Sequence, residues 1–347
     1  MKNILTLVIF LFAINYTFAQ IPDGYYDNAE GLTGETLKTA LYNIIKGHVE
    51  FPYVSENTDV WDILKVTDRD PDNSDNVILL YTGWSVNAAQ EYNNGNGWTK
   101  EHVWSKSHGD FGTTMGPGTD VHHLRPADVS VNSAKNNRWF DNCDVPYYDD
   151  GVFTGCYKSN TEWVWEPRDE VKGDIARMIF YMATRYEGEN GEPDLELINY
   201  LPADDNTPDP VYAMLSTLYE WNTEDPVSEW EERRNNIIHT NYQHNRNPYI
   251  DHPEWVTAIW GPVLGVNENN EFTVVYPNPS NGFITIKSNA TNLAKIKVYN
   301  ELGQIILSLE NVSFPIELDL TEQNSGIVFV QIIQGYDVKT EKIILVK

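Results

Sequence analysis

The sequence predicts an α+β protein: a helix-rich domain threaded by short strands, followed by a small all-β sandwich-like domain. Three observations carry this. Apolar residues recur at helical spacing in several stretches before residue 262. Composition changes near Pro262, where "GPVLGVNENNEF" reads as a linker. Beyond it, β-branched runs separated by turn residues replace the helical period.

Residues 1–19 combine Lys2, an apolar run and Ala19, the pattern of a secretory signal peptide. No later stretch reaches the ~20 apolar residues of a membrane helix. The mature chain is therefore expected to be exported, without a transmembrane segment and monomeric. Its expected domains are residues 20–262 and 275–347, joined by a linker at 263–274.

In the first domain, residues 25–50 read as a helix, with Leu37, Leu41, Ile44 and Ile45 on one face and Thr33 as cap. "NVILLYTGW" (76–84) reads as a buried strand. "GDIARMIFYMATRYE", "DPVYAMLSTLYEWN" and "SEWEERRNNIIHTNYQHN" read as helices. Cys143 and Cys156 are expected to form a disulfide in an oxidising compartment, adding ~3 kcal/mol on the chain-entropy model.

The formal net charge of −27 argues against a simple electrostatic grip on nucleic acid. Its distribution matters more. Residues 20–262 carry 17 Lys/Arg against 42 Asp/Glu, whereas residues 98–140 carry five against four. The acidic charge surrounds that segment and is not in it. A polyanionic substrate would need a bound cation to supply what the surface lacks.

That segment holds the chemistry. In "WTKEHVWSKSH", Glu101 stands beside His102 on a predicted strand, where neighbours point to opposite faces. A Gly-rich loop follows. Then "DVHHLRP" reads as a second extended piece stopped by Pro126, and Asp128 caps a helix carrying Asn132 and Asn136 at i and i+4. Strand, loop, strand and helix can hold one hard cation. Glu101 would give a charged oxygen and Asn132 an amide oxygen, with water and substrate phosphate completing the shell, as Mg²⁺ prefers. The sequence does not separate Mg²⁺ from Ca²⁺ or Mn²⁺. His102 could then take a proton from water attacking phosphorus.

"KEHVW", "DVHHLRPADVSVNSAKNNRWF", "GDIARMIFYM" and "NRNPYIDHPEW" occur in this order, and together they resemble the bacterial endonuclease I family of ββα-metal (His-Me finger) nucleases. The resemblance spans roughly residues 25–260. It implies a secreted endonuclease cutting DNA, RNA or both, with Glu101 and Asn132 as metal ligands and His102 as general base. His123 is expected near the substrate. Some members carry a phosphate-assisting Arg in the loop between the strands. Gly109–Thr119 contains none, so Arg125 or Arg138 is expected to take that role. Asn136, Asn137 and Arg138 read either as phosphate contacts or as helix capping and packing. "YPNPSNGFITI", "VYNELGQII" and the final "KTEKIILVK" resemble the sorting domain of type IX secretion. That implies the type IX machinery as a partner and a secreted or surface-attached location.

His122 reads as structural, because no zinc spacing surrounds it. Asp174 and Arg177 read as a structural or helix-surface pair, and His244, Asn245 and Asn247 as bracing. Two rival functions stay open on the residues alone: a phosphodiesterase acting on small or lipid diesters, and a glycan-binding surface protein with its aromatic residues as platforms.

Overall fold

The structure, a computed structural model, describes residues 21–261, 273–288, 294–334 and 337–346. The expected signal segment at 1–19 and most of the expected linker lie outside the described residues. The chain divides into two compact units. One takes the residues up to Glu30 with Ala40–Pro253, and the other Gly31–Thr39 with Glu254 onward. The break at Pro253 precedes the composition change near Pro262.

Helix α1 (Gly34–Ile45) is shorter than the 25–50 stretch expected. Gly31 and Gly34 at positive φ precede and open it, and Gly47 at φ +75° follows its end. Helix α2 (Val60–Thr67) starts at Asp59, whose carboxylate accepts from Trp61 N and Asp62 N. Strand β1 (Asn76–Ile78) pairs antiparallel with β2 (Ser85–Asn87). Strand β3 (Trp98–His102) pairs antiparallel with β4 (Leu124–Asp128), and α3 (Val129–Lys135) follows at once. Val60, Ile63 and Leu64 of α2 share a core with Val77, Leu79, Trp98, Val121, Leu124 and Ile238. This core fixes β3 and β4 against α2.

Pro126 does not stop the second extended piece, as its sequence suggested. It sits inside β4 opposite Lys100. The sheet has only two strands, so the missing Pro N–H costs no ladder bond on a further neighbour, and the Pro126 carbonyl accepts from Leu80 N at 2.8 Å. His122 and His123 fall in the turn before β4.

Strands β5 (Trp139–Phe140), β6 (Pro146–Asp149), β7 (Val152–Lys158) and β8 (Val164–Glu166) form a sheet in the order β5-β8-β7-β6. The expected disulfide is not formed. Cys143 and Cys156 are free thiols. Cys156 is sealed in β7 and its Sγ donates to Tyr81 O at 3.1 Å, while burial pushes its thiol up to about 12.

Helix α4 (Lys172–Arg185) is buried along nearly its whole length. Next come β9 (Glu196–Leu197), β10 (Val211–Tyr212) and α5 (Leu215–Glu224). The 209–222 stretch therefore opens as a strand parallel to β9 before turning helical. Helix α6 (Glu229–Ile237) starts with a Ser228–Glu231 capping box, and α7 (Pro248–Asp251) with Asn247 as cap. Helix α4 packs against α5 and α7.

Buried ion pairs lock these helices to the strands. Asp68 holds Arg125 at 2.6 Å and Arg234 at 3.3 Å, and Asp174 reaches Arg125 at 3.3 Å. Arg177 pairs with Glu231 at 2.6 Å. Asp174 and Arg177 are thus structural, but interior and not on a helix surface. Asn245 donates to Ile45 O and Tyr181 OH, and Asn247 donates to Arg177 O, so both brace. His244 is exposed.

Among its described residues the second unit contains α8 (Glu254–Trp260) and seven strands: β11 (Thr273–Tyr276), β12 (Phe283–Ser288), β13 (Ala294–Asn300), β14 (Ile305–Val312), β15 (Ile316–Asp319), β16 (Gly326–Gln334) and β17 (Asp337–Leu345). They form two sheets, β11-β12-β15 and β14-β13-β16-β17. Ile284, Ile286 and Leu318 of one sheet share a core with Ile296, Val298, Val330 and Ile343 of the other. That is the sandwich-like packing expected from β-branched runs separated by turn residues.

Candidate active site

Asp128 does cap α3. Its carboxylate accepts from Ser130 N and Val131 N, which turns the chain from β4 into the helix without a linker. Glu101 and His102 are the last two residues of β3, paired with Arg125 and Leu124 of β4. Both line one cleft of about 530 Å³, together with Asn132 and Asn136. Asn137 lines it too, and Lys100 and Lys106 add positive charge there.

The ring of His102 is buried and its Nε2 lies 3.0 Å from Gly118 O. A carbonyl oxygen can only accept, so Nε2 carries the proton. Burial, reinforced by His123, pushes this imidazole well below its usual range. The neutral ring thus keeps its lone pair on Nδ1. Tyr53 stacks on the ring at 5.7 Å between centroids and 18° between planes.

Glu101 is held from beneath. Tyr81 OH donates to its Oε1 at 2.6 Å, and the Lys135 ammonium lies 3.3 Å from the same oxygen. Burial pushes the Glu101 carboxyl up, opposed by Lys135. Burial also acts against the Lys135 charge, but Glu101 overcomes it and holds Lys135 above its usual value. Lys135 further donates to Ser105 Oγ at 2.7 Å and Tyr212 OH at 3.3 Å. Lys100 lies over the rings of Tyr53 and Trp61, and burial pushes it down to about 8.

Three expected side chains stand outside this cleft. Arg125 is spent on Asp68 and Asp174 in the interior. His123 is fully buried: its Nε2 donates to Pro117 O at 2.8 Å and its Nδ1 accepts from Trp104 N at 3.4 Å. Both nitrogens are committed, so it braces the loop and is not available to substrate. Arg138 stacks on Trp163 beside a separate pocket. Asn136 caps α3 at φ 52°, and its Oδ1 accepts from Asn137 N, so capping and cleft lining coexist there. His122 is structural, with Nε2 near Asn245.

Sequence reasoning missed Tyr81, Ser105, Lys135 and Tyr212. Only Lys135 left a trace, as a lysine three residues beyond Asn132 on the same helix.

The loop between the strands is anchored at its C-terminal end. Pro117 O and Gly118 O hold the two histidines. Asp120 accepts from Tyr181 OH at 2.8 Å, Tyr186 OH at 2.9 Å and Gln243 Nε2 at 3.0 Å. A larger cavity of about 1080 Å³ lies on the loop's other wall. Glu50, Asp110, Glu189 and Glu192 line it against Lys46 and Arg185, a poor seat for a polyanion.

Among the described residues no cluster of three or more His, Cys, Asp or Glu side chains forms a metal cage. The donors of the cleft are a single carboxylate, Glu101, and the amides of Asn132, Asn136 and Asn137. They suit a hard cation that keeps most of its waters and takes few protein ligands.

This mixed helix-and-strand domain brings a neutral, oriented imidazole into one cleft with a carboxylate and an amide, groups that acid–base hydrolysis can use. The chain belongs to the endonuclease I family, whose model matches residues 33–254, and it is a nuclease. Residues 274–347 match the secretion system C-terminal sorting domain, and the protein is secreted. It is similar to the extracellular ribonuclease of Bacillus subtilis (strain 168), 53% identical over 238 residues, covering 69% of this chain and 78% of that one. A second extracellular ribonuclease, from Bacillus amyloliquefaciens, is 53% identical over 236 residues, covering 68% and 78%. Neither match depends on membrane spans: no helix among the described residues is long and apolar enough to cross a membrane.

Proposed function

We propose that this chain is an exported endonuclease that hydrolyses RNA, with DNA as a second substrate, using one divalent cation, Mg²⁺ by preference, in a ββα-metal site. The observation that carries this reading is the His102 ring. Its Nε2–H is spent on Gly118 O, so Nδ1 is the basic nitrogen in a cleft that also holds Glu101 and Asn132.

In this reading Nδ1 of His102 takes the proton from the attacking water. Glu101 and Asn132 would hold the cation through oxygen. When bound, that cation offsets charge on the phosphorus-centred transition state and on the leaving oxygen. Lys135 and Tyr81 keep the Glu101 carboxylate in place. Lys100 and Lys106 draw the phosphate backbone toward the cleft. Contacts to backbone and not to base edges give weak sequence selectivity. The two similar extracellular ribonucleases support RNA as substrate. The sorting domain supports delivery by a type IX system.

The test is digestion of labelled RNA and DNA by the secreted chain with and without EDTA, and by His102→Ala. We expect chelation to abolish cleavage, Mg²⁺ to restore it, and His102→Ala to lose at least ~10² in rate. Cleavage that survives both treatments would overturn the reading.

A further inference from the structure

Six arginines are buried: Arg125, Arg138, Arg177, Arg185, Arg234 and Arg246. Five of them have a carboxylate partner, supplied by Asp68, Glu231, Glu192 or Asp251. Arg138 is the exception. It is 8% exposed, yet among the described residues no carboxylate comes within the 4.0 Å of an ion pair. Its Nε donates to Ala134 O at 3.3 Å, and its guanidinium carbon lies over the Trp163 indole, 3.7 Å from the ring centroid. Stacking uses the face of the guanidinium and leaves its in-plane N–H groups for an oxyanion. A buried cation without an anion is costly unless a partner arrives.

Arg138 and Trp163 line a pocket of about 280 Å³ with Lys158, Ser159 and Thr161. Glu162 and Asp205 also line it; neither comes within ion-pair distance of Arg138, although Asp205 favours its charge from further off. The pocket adjoins the catalytic cleft through one residue. Asn137 lines the cleft, and its Oδ1 accepts from Trp163 Nε1 at 2.8 Å.

We propose that Arg138, carried on Trp163 and assisted by Lys158, is a second phosphate subsite that grips a phosphodiester of the same strand away from the scissile bond. This rests on the cleft being the nuclease site. The subsite makes the enzyme prefer polymers over short substrates, which separates it from a small-diester phosphodiesterase. It is a binding role, distinct from the transition-state role expected of an arginine at the scissile phosphate.

The experiment uses the full secreted chain. Binding of a fluorescein-labelled 12-mer RNA is measured by anisotropy in EDTA, and kcat and KM are measured in Mg²⁺ for the 12-mer and for a dinucleoside monophosphate. Arg138→Gln is expected to weaken 12-mer binding about tenfold, the size of one lost charge-assisted contact. The loss should fall on KM, so that the 12-mer's advantage over the dinucleotide shrinks by a similar factor. Arg138→Lys, which keeps the charge and loses the flat fork, should recover part of it. Lys158→Gln, at a half-exposed position, is expected to weaken binding in the same direction and serves where Arg138→Gln fails to fold. Unchanged 12-mer binding in both Gln variants would overturn the proposal, as would equal losses on both substrates. Binding in EDTA needs no cleavage, so a wild-type chain that binds RNA without cutting it would refute the nuclease reading alone.

Discussion

The Lys135 ammonium lies 3.3 Å from Glu101 Oε1, and both side chains are buried. Removing one partner of such a pair leaves the other as an uncompensated buried charge, which typically costs ~3–5 kcal/mol. Lys135→Met is therefore expected to lower the melting temperature sharply and to drive the Glu101 carboxyl further up. Thermal denaturation followed by circular dichroism reads the first effect. A variant as stable as the parent would show that the pair is not an energetic unit.

Gly118 carries the carbonyl that orients His102, and it has no room for a side chain. A Cβ there would meet Thr114 O at 2.7 Å and Gly112 O at 2.8 Å, both backbone atoms that cannot swing away. Gly118→Ala is expected to move this peptide and misplace the ring, costing on the order of 10² in kcat, as a misplacement of about 1 Å can. Single-turnover cleavage of labelled RNA measures it. An unchanged rate would mean that His102 is oriented by other contacts.

His122 and His123 predict how stability depends on pH. Burial pushes His122 down to about 3 and His123 down to about 4. In an unfolded chain both titrate near 6.5. Between those values the unfolded state binds protons that the folded state refuses. Stability is thus full above about pH 6.5 and falls as the pH drops toward 4, by ~3 kcal/mol for His123 alone. Melting temperatures across pH 8 to 4 should be flat and then fall. A protein equally stable at pH 7 and pH 4.5 would contradict this account.

Much of the candidate cleft was legible in the chain. Glu101, His102, Asp128 and Asn132 sit in short contiguous segments whose spacing shows strand, cap and helix directly. What supports them was not legible. Tyr81 and Tyr212 reach the Glu101–Lys135 pair from distant parts of the sequence, and only tertiary packing brings them there. Arg125 was misassigned for a related reason. The family resemblance called for an arginine that loop Gly109–Thr119 lacks, and the partners that hold Arg125 inside, Asp68 and Asp174, are remote in sequence. Pro126 was read as a stop because local propensity does not reveal that a strand has one neighbour only. In the second unit the short β-branched runs between turn residues sufficed, because two sheets sharing a core are built from just such strands.

The cleft carries Lys100 and Lys106 while the cavity on the loop's other side leans acidic, and the chain as a whole is at −27. At physiological ionic strength charges are felt over only about 8 Å. An approaching polynucleotide therefore senses little of the global repulsion until it nearly touches the surface. Encounters elsewhere are then brief, and those at the cleft persist. The acidic exterior acts as a sieve for orientation, and one that should tighten in dilute media and relax in brine.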